Sequence, residues 1–385
     1  MRRMRVVISV PGTFHAALLA NALHGQSAEV EIWTTVLRRH LRSLAGGVEL
    51  RLFPSPAALT ERLTPLRLPR WINYPDSIVF DAGVAALMPQ ADLFIGWATK
   101  CLYAARKAKR AGSLFALDRA CPHRDFQEAL AERESERVGA RYQPQPEWFR
   151  ERQLEEYALA DAILVPSAYT ARTFPEALRG KLVKAPLFGR CTIPETIRTE
   201  RNTTFTVGVV GGNPLRKGYL YLLLAWKKLA LPNARLLLRS RDFAGYPVLD
   251  ELARSLTNVE FLSYVPNISD FYQRCDVVVL PSVDDGFGMA LIEGMANGRA
   301  SIATTNCGAA ELMSDGQDGL VIPPADEDAL AAALLRLYES EELRRLLGAA
   351  ARMRAREVLE ARLYDRAIAG LLARVGEGEA AAVAS

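Results

Sequence analysis

Two doubly wound α/β domains are what this 385-residue sequence predicts. Three observations carry the prediction. Short apolar runs alternate with helix-like stretches through the first half, the pattern of a parallel sheet covered on both faces. A polar, proline-containing stretch over 191–204 then interrupts the pattern, as a linker would. The same alternation restarts after it, and the chain is long enough for two domains of ordinary size. The resulting boundaries are 1–190 for a first Rossmann-like domain, 191–204 for the linker and 205–365 for a second. A helix end and an alanine-rich, frayed tail fill 366–385.

In the first half, strands are expected over 5–10, 30–34, 91–96, 113–118, 162–166 and 181–186. Each is a short apolar run of the kind that two-sided burial favours. Helices are expected over 14–23, over the basic run Arg106-Lys107-Ala108-Lys109-Arg110 ending at Gly112, and over 126–139 and 147–160. Residues 54–75 are rich in proline and read as irregular. In the second half, strands are expected over 205–210, 234–239, 259–262, 277–280, 300–304 and 320–322. Helices fall over 219–229, 268–274, from Met289 onward and over 326–338, and a helical pattern runs over 341–374.

Composition excludes several classes. Half the residues are apolar and 24% are charged, as in an ordinary soluble domain. No apolar stretch approaches the roughly 18 residues of a membrane span, and the apolar core after the basic N-terminus is too short for a signal peptide. Five scattered cysteines (101, 121, 191, 275, 307) imply neither a disulfide framework nor a zinc site, and a reducing cytoplasm is expected. Residues 1–190 carry 27 Lys and Arg against 19 Asp and Glu; the remainder carries 21 against 25. A basic first half suits an anionic partner such as a phospholipid surface, and equally suits a solvated face. Nucleic acid is not expected, because aromatics do not interleave with the basic residues. All four histidines lie in the first half, so the second cannot build a Ser-His-Asp triad by itself.

The chemistry-bearing residues sit where strands end. After the apolar run Val277-Val278-Val279-Leu280 come Asp285-Gly286-Phe287-Gly288 and a helix from Met289-Ala290 that carries Glu293 two turns on. Gly286 and Gly288 let backbone come close to a ligand, and the helix start favours an anion. Carboxylates remain for hydroxyl groups, so the segment suits a sugar carried on a diphosphate. The second half opens with Gly208-Val209-Val210-Gly211-Gly212-Asn213-Pro214-Leu215-Arg216-Lys217-Gly218. Gly211 and Gly212 permit close approach, and Arg216 and Lys217 supply charge for a departing diphosphate. In the first half, Gly12 follows strand one, with His15 beside it, either facing the cleft or satisfied in the fold. His123 follows another strand, placed to touch a sugar hydroxyl or to cap the next helix. A lone glycine at position 12 is not the dinucleotide fingerprint.

These motifs resemble the retaining glycosyltransferases of the GT-B fold that carry a Glu-x7-Glu motif, glycosyltransferase family four. The resemblance is strongest over 208–335, through Arg216-Lys217-Gly218, Tyr264-Val265-Pro266, Asp285-Gly286-Phe287-Gly288, Glu293-Gly294-Met295-Ala296-Asn297-Gly298 and Asp318-Gly319-Leu320-Val321. It implies a GT-B architecture, two Rossmann-like domains facing a cleft, with the C-terminal helices crossing back to the first. It implies an acceptor-side first domain and a second that binds the nucleotide sugar. Arg216 and Lys217 would hold the diphosphate, Glu293 the ribose, and Gly286, Phe287, Gly288, Met289 and Ala290 the sugar and phosphate. The base would stack near Val265, Gly12 would approach the donor from the first domain, and His123 would contact the transferred sugar. Two positions depart from the pattern. Asp285 stands where Glu is usual, which changes reach and sugar preference, and Gly212 stands where an arginine is common.

The expected activity is transfer of a sugar from a nucleoside diphosphate donor to a glycan, lipid or small-molecule acceptor. Anomeric configuration is retained, with no metal and no cofactor, in the cytoplasm or peripherally at an anionic membrane. A non-catalytic nucleotide-sugar binder or regulatory subunit of the same fold is the alternative, motivated by the two departures.

Overall fold

The computed structural model describes residues 3–41, 43–53, 73–188, 191–197, 202–240, 243, 245–262 and 265–383. Tyr264, residues 54–72 of the stretch expected to be irregular over 54–75, and part of the linker lie outside the described residues, while 73–75 open the helix Asn73–Leu87.

Two parallel sheets form the frame. The first contains β1 (Arg5–Val10), β2 (Glu29–Thr34), β3 (Glu49–Leu52), β4 (Leu93–Trp97), β5 (Leu114–Asp118), β6 (Ala162–Val165) and β7 (Leu182–Lys184). Its order is β3-β2-β1-β4-β5-β6-β7. The second contains β8 (Phe205–Val210), β9 (Ala234–Arg239), β10 (Val259–Phe261), β11 (Val277–Leu280), β12 (Ala300–Thr304) and β13 (Leu320–Ile322). Its order is β10-β9-β8-β11-β12-β13. Every pairing among these strands is parallel. Central strands such as β11 are buried at every residue, which explains their unbroken apolar sequences.

Strand order locates the places a ligand can enter. In the first sheet β1 lies between β2 and β4; in the second β8 lies between β9 and β11. The chain departs in opposite directions from each of these strands, so a crevice opens beyond their carboxyl ends. The segments leaving β8 and β11 are the Gly211–Lys217 turn and the 281–288 loop. Both motifs therefore stand at one switch point.

Helices cover both faces of each sheet. The helix Glu341–Glu360 packs on the helix Met289–Ala296 and on β12. The chain then turns at Arg362, whose φ of 48° is left-handed. A last helix, Leu363–Val383, returns to the first domain. There Tyr364, Ile368, Leu371 and Val375 join a core with Leu19, Leu23, Ile32 and Ile95. The crossing predicted by the resemblance is present. The tail expected as a helix end from 366 and frayed beyond 376 is instead one continuous helix to Val383.

Other differences are local. The helix expected over 14–23 spans Ala16–Gly25, and the stretch over 341–374 is two helices rather than one. The edge strand β3 and the helix Pro247–Arg254 had no clear signal. β3 is four residues long and mostly exposed, so no alternating pattern marks it.

Candidate active site

The two cationic residues of the second domain are each held by a carboxylate of the neighbouring loop. Arg216 Nε donates to Asp284 Oδ2 at 2.8 Å, and Lys217 Nζ donates to Asp285 Oδ2. The backbone reinforces this, since Val283 and Asp284 both donate their N–H to the Arg216 carbonyl, at 3.0 and 3.2 Å. Gly211 has a packing reason to lack a side chain: a Cβ there would lie 2.6 Å from Lys217 Cγ. Burial pushes the Asp285 carboxyl up, but Lys217 and Arg216 outweigh it and hold it below the usual carboxylate range. Burial alone would lower the Arg216 guanidinium; Cys121, Asp284 and Asp285 around it raise it instead. The site thus brings two acids and two bases together at the ends of β8 and β11.

The glycine loop faces the first domain closely. A Cβ on Gly286 would sit 2.2 Å from the Ala120 carbonyl oxygen. The Gly286 carbonyl accepts from Ser167 Oγ at 2.7 Å and from Thr170 Oγ1 at 3.1 Å. Gly286 was expected to admit a ligand; in this structure the missing side chain admits the backbone of the other domain. Gly288 has φ +88°, and a Cβ there would meet Cys307 Sγ at 2.3 Å, so both conformation and space call for glycine. Phe287 is buried, its ring edge-on to Phe188 at 5.0 Å, so only its backbone is near Asp285. Ala290 is buried and Met289 half-buried at the start of the helix Met289–Ala296. Glu293, one to two turns along that helix, accepts from Tyr272 Oη at 2.7 Å. Val265 is half-buried against the core under that helix. Gly212 is open to solvent, with nothing near a built Cβ.

The first domain contributes less directly than expected. Gly12 has φ +135° and accepts from Thr34 Oγ1 at 3.2 Å. His15 pairs with Asp118 at 2.7 Å and lies against Trp97, both buried at the carboxyl ends of β4 and β5. His123 lies in the interior of the first domain. It is 3% exposed, packed against Tyr157 and Phe174, and it caps the helix Arg124–Arg137. Its Nδ1 accepts from Asp125 N at 3.3 Å, which places the ring proton on Nε2. That Nε2 is buried without a hydrogen-bond partner among the described residues.

Burial pushes the His123 imidazole down to about 4, Asp125 opposing and Arg119, Arg124 and Arg150 assisting. Between about 4 and 6.5 the unfolded chain binds the proton and the folded chain does not, so stability rises with pH across that window. The neutral form's advantage is complete above 6.5 and is lost as pH falls through 4. The expected loss is on the order of 2 to 3 kcal/mol. Urea titrations at pH 4.5 and 7 on wild type and His123→Asn check this: asparagine caps but does not titrate, so its pH slope flattens. Equal slopes in the two proteins refute the assignment.

The basic run of the first domain is largely occupied. Arg106 pairs with Glu155 and Lys109 with Asp161, while Lys107 Nζ donates to the carbonyls of Ala86 and Met88. No helix among the described residues is long and apolar enough to cross a membrane. Among them, no group of three or more His, Cys, Asp or Glu is arranged to hold a metal ion.

Sequence reading passed over Asp284. It is 1% exposed and accepts hydrogen bonds from three side chains, two of them from the other domain. Its only signal was adjacency to Asp285.

The fold and the paired switch points define the GT-B class of two-domain α/β proteins. Residues 204–340 match the family described as glycosyl transferases group 1. Among curated relatives, the phosphatidyl-myo-inositol mannosyltransferase of Mycolicibacterium smegmatis is 32% identical over 135 residues, 34% of this chain and 34% of that protein. The chain spans between 12% and 40% of the length of such curated relatives. Across the whole chain the likeness is structural. Sucrose-phosphate synthase from Thermosynechococcus elongatus superposes with a TM-score of 0.71 at 18% identity, covering 99% of this chain and 100% of that one. HepE of Anabaena, in complex with UDP and glucose, gives 0.66 at 15% identity, covering 98% and 100%.

Proposed function

We propose that this protein is a glycosyltransferase that moves a sugar from a nucleoside diphosphate donor to a hydroxyl of a glycan, lipid or small molecule. The observation that carries the reading is the convergence of Arg216, Lys217, Asp284 and Asp285 on the switch point of the second sheet, inside the segment that matches the transferase family. A structural neighbour bound to UDP and glucose makes UDP-sugars the first donors to try.

In this reading Lys217 and the terminal nitrogens of Arg216 take the negative charge that grows on the diphosphate as the sugar bond breaks. Asp285 accepts from sugar hydroxyls, and Glu293 from the ribose. Closure of the first domain over the glycine loop excludes water and orients the acceptor. The acceptor hydroxyl attacks the face from which the diphosphate leaves, its proton passing to a donor phosphate oxygen, so configuration is retained. The two cations supply the charge neutralisation that a metal would otherwise provide.

A thermal-shift screen against nucleotide sugars tests the binding half: one donor raises the melting temperature selectively by mass action. With that donor and an acceptor, nuclear magnetic resonance reads the anomer of the product, and turnover persists in EDTA. An inverted product overturns retention, EDTA-sensitive turnover overturns metal independence, and no response to any donor overturns the transferase reading.

A further inference from the structure

Asp284 is a buried carboxylate shared between the domains. Oδ2 accepts from Arg216 Nε at 2.8 Å and from Gln127 Nε2 at 2.9 Å; Oδ1 accepts from Tyr169 Oη at 3.3 Å. Arg216 belongs to the second domain, whereas Gln127 and Tyr169 belong to helices of the first, Arg124–Arg137 and Ala168–Arg172. Gln127 is itself fixed, its Oε1 accepting from Arg119 Nη2 at 2.7 Å. The same face carries the Ser167 and Thr170 bonds to the Gly286 carbonyl. Asp284 is therefore one of the points at which second-domain loop and first-domain helices are joined.

A carboxylate offers about four acceptor positions, and an arginine prefers to fill two of them side by side. Here it does not. Arg216 reaches Asp284 through Nε alone, and among the described residues no hydrogen bond occupies its two terminal nitrogens. Its side chain is one-third exposed although Asp284 is fully covered. Gln127 holds a second position on Oδ2 and Tyr169 holds one on Oδ1. Were the first domain to withdraw, those positions would be vacated, and the guanidinium could turn to bind the carboxylate with two nitrogens. Its anion-binding end would then be spent on Asp284.

We infer that Asp284 is a positioning residue that couples seating of the first domain to the aim of Arg216. With the domains together, Gln127 and Tyr169 compete for the carboxylate and leave the terminal nitrogens of Arg216 free for an anion. With the domains apart, Asp284 captures them. The inference rests on the transferase reading only in naming that anion as the donor diphosphate.

The test removes the first-domain donors and leaves the second domain untouched. In Gln127→Ala/Tyr169→Phe, affinity for UDP, measured by calorimetry, is expected to fall about tenfold, the scale of two lost hydrogen bonds at a two-state contact. Turnover falls about as much and KM for the donor rises. The 15N–1H resonance of Arg216 Nε, assigned by its loss in Arg216→Lys, shifts, and a label pair across the domains reports a wider distance distribution. Asp284→Asn gives the same loss of Arg216 order, and if it does not fold the double variant decides alone. UDP affinity within twofold of wild type, with an unmoved Arg216 resonance, overturns the coupling. A wild type that binds neither UDP nor inorganic pyrophosphate overturns the transferase reading instead, while the resonance and the distance still decide whether Gln127 and Tyr169 govern Arg216.

Discussion

Lys217→Ala is expected to lower turnover by about 10²-fold, the scale of one charge contact made in the transition state. The residue is held for such a role. Its stem packs against the Gly211 backbone, and its ammonium ends on Asp285 with 21% of the side chain exposed. An ammonium so placed is already partly stripped of water and already oriented, so little reorganisation is needed as charge builds on a leaving phosphate. The substitution also strips Asp285 of its main cation, and a carboxylate that burial already pushes up then drifts toward the neutral form. Urea unfolding beside the kinetics separates the two effects. The proposed role requires kcat to fall at temperatures where the variant is fully folded, with kcat/KM falling in proportion. Lys217→Arg, which keeps the charge but not the shape, is expected to recover part of the loss. Undiminished turnover in the alanine variant refutes the role.

The parts of the fold that were legible in the sequence are those whose cause is local. Val277–Leu280 and Val207–Val210 read as buried strands because two-sided burial leaves only apolar residues there. Gly211 and Gly288 read as places where the chain turns because they follow directly on the ends of those strands. The return of the last helix was legible through resemblance, but the break before it was not. It falls at Arg362, a single left-handed residue with neither glycine nor proline to mark it. The site was legible in its second-domain half for the same local reason, since Arg216, Lys217 and Asp285 lie beside their own strand ends. Asp284, Gln127 and Tyr169 were not, because their bonds join segments 157 and 115 residues apart. His123 was ambiguous between sugar contact and helix cap. The cap shows only in the structure, where Tyr157 and Phe174 pack against the ring and its Nδ1 accepts from Asp125 N. Gly286 shows the same limit in reverse. Its small size read as room for a ligand, but the neighbour that fills the room in this structure, the Ala120 carbonyl, comes from a distant segment.

Gly218→Ala is expected to destabilise the protein by more than about 3 kcal/mol, placing it among the severe single substitutions. Two costs add. Gly218 has φ +66°, and a side chain in that left-handed region costs about 1 kcal/mol or more. A Cβ there would also lie 1.9 Å from the Pro281 carbonyl oxygen. That carbonyl belongs to the backbone leaving β11, which cannot swing aside as a flexible side chain could. The loop must therefore move, and with it Ser282, Val283 and Asp284. Since Val283 and Asp284 donate to the Arg216 carbonyl, displacement there unseats the turn that carries both cations. Stability and donor affinity should consequently fall together, unlike in Lys217→Ala, where activity falls more than stability. Gly212→Ala provides the control, because nothing lies near a Cβ at that position and its backbone carries no left-handed φ. It should change stability by less than about 1 kcal/mol. Urea unfolding midpoints of the two variants, with UDP calorimetry on whichever folds, decide the matter. Equal stability of Gly218→Ala and Gly212→Ala refutes the claim that the turn is clamped against Pro281.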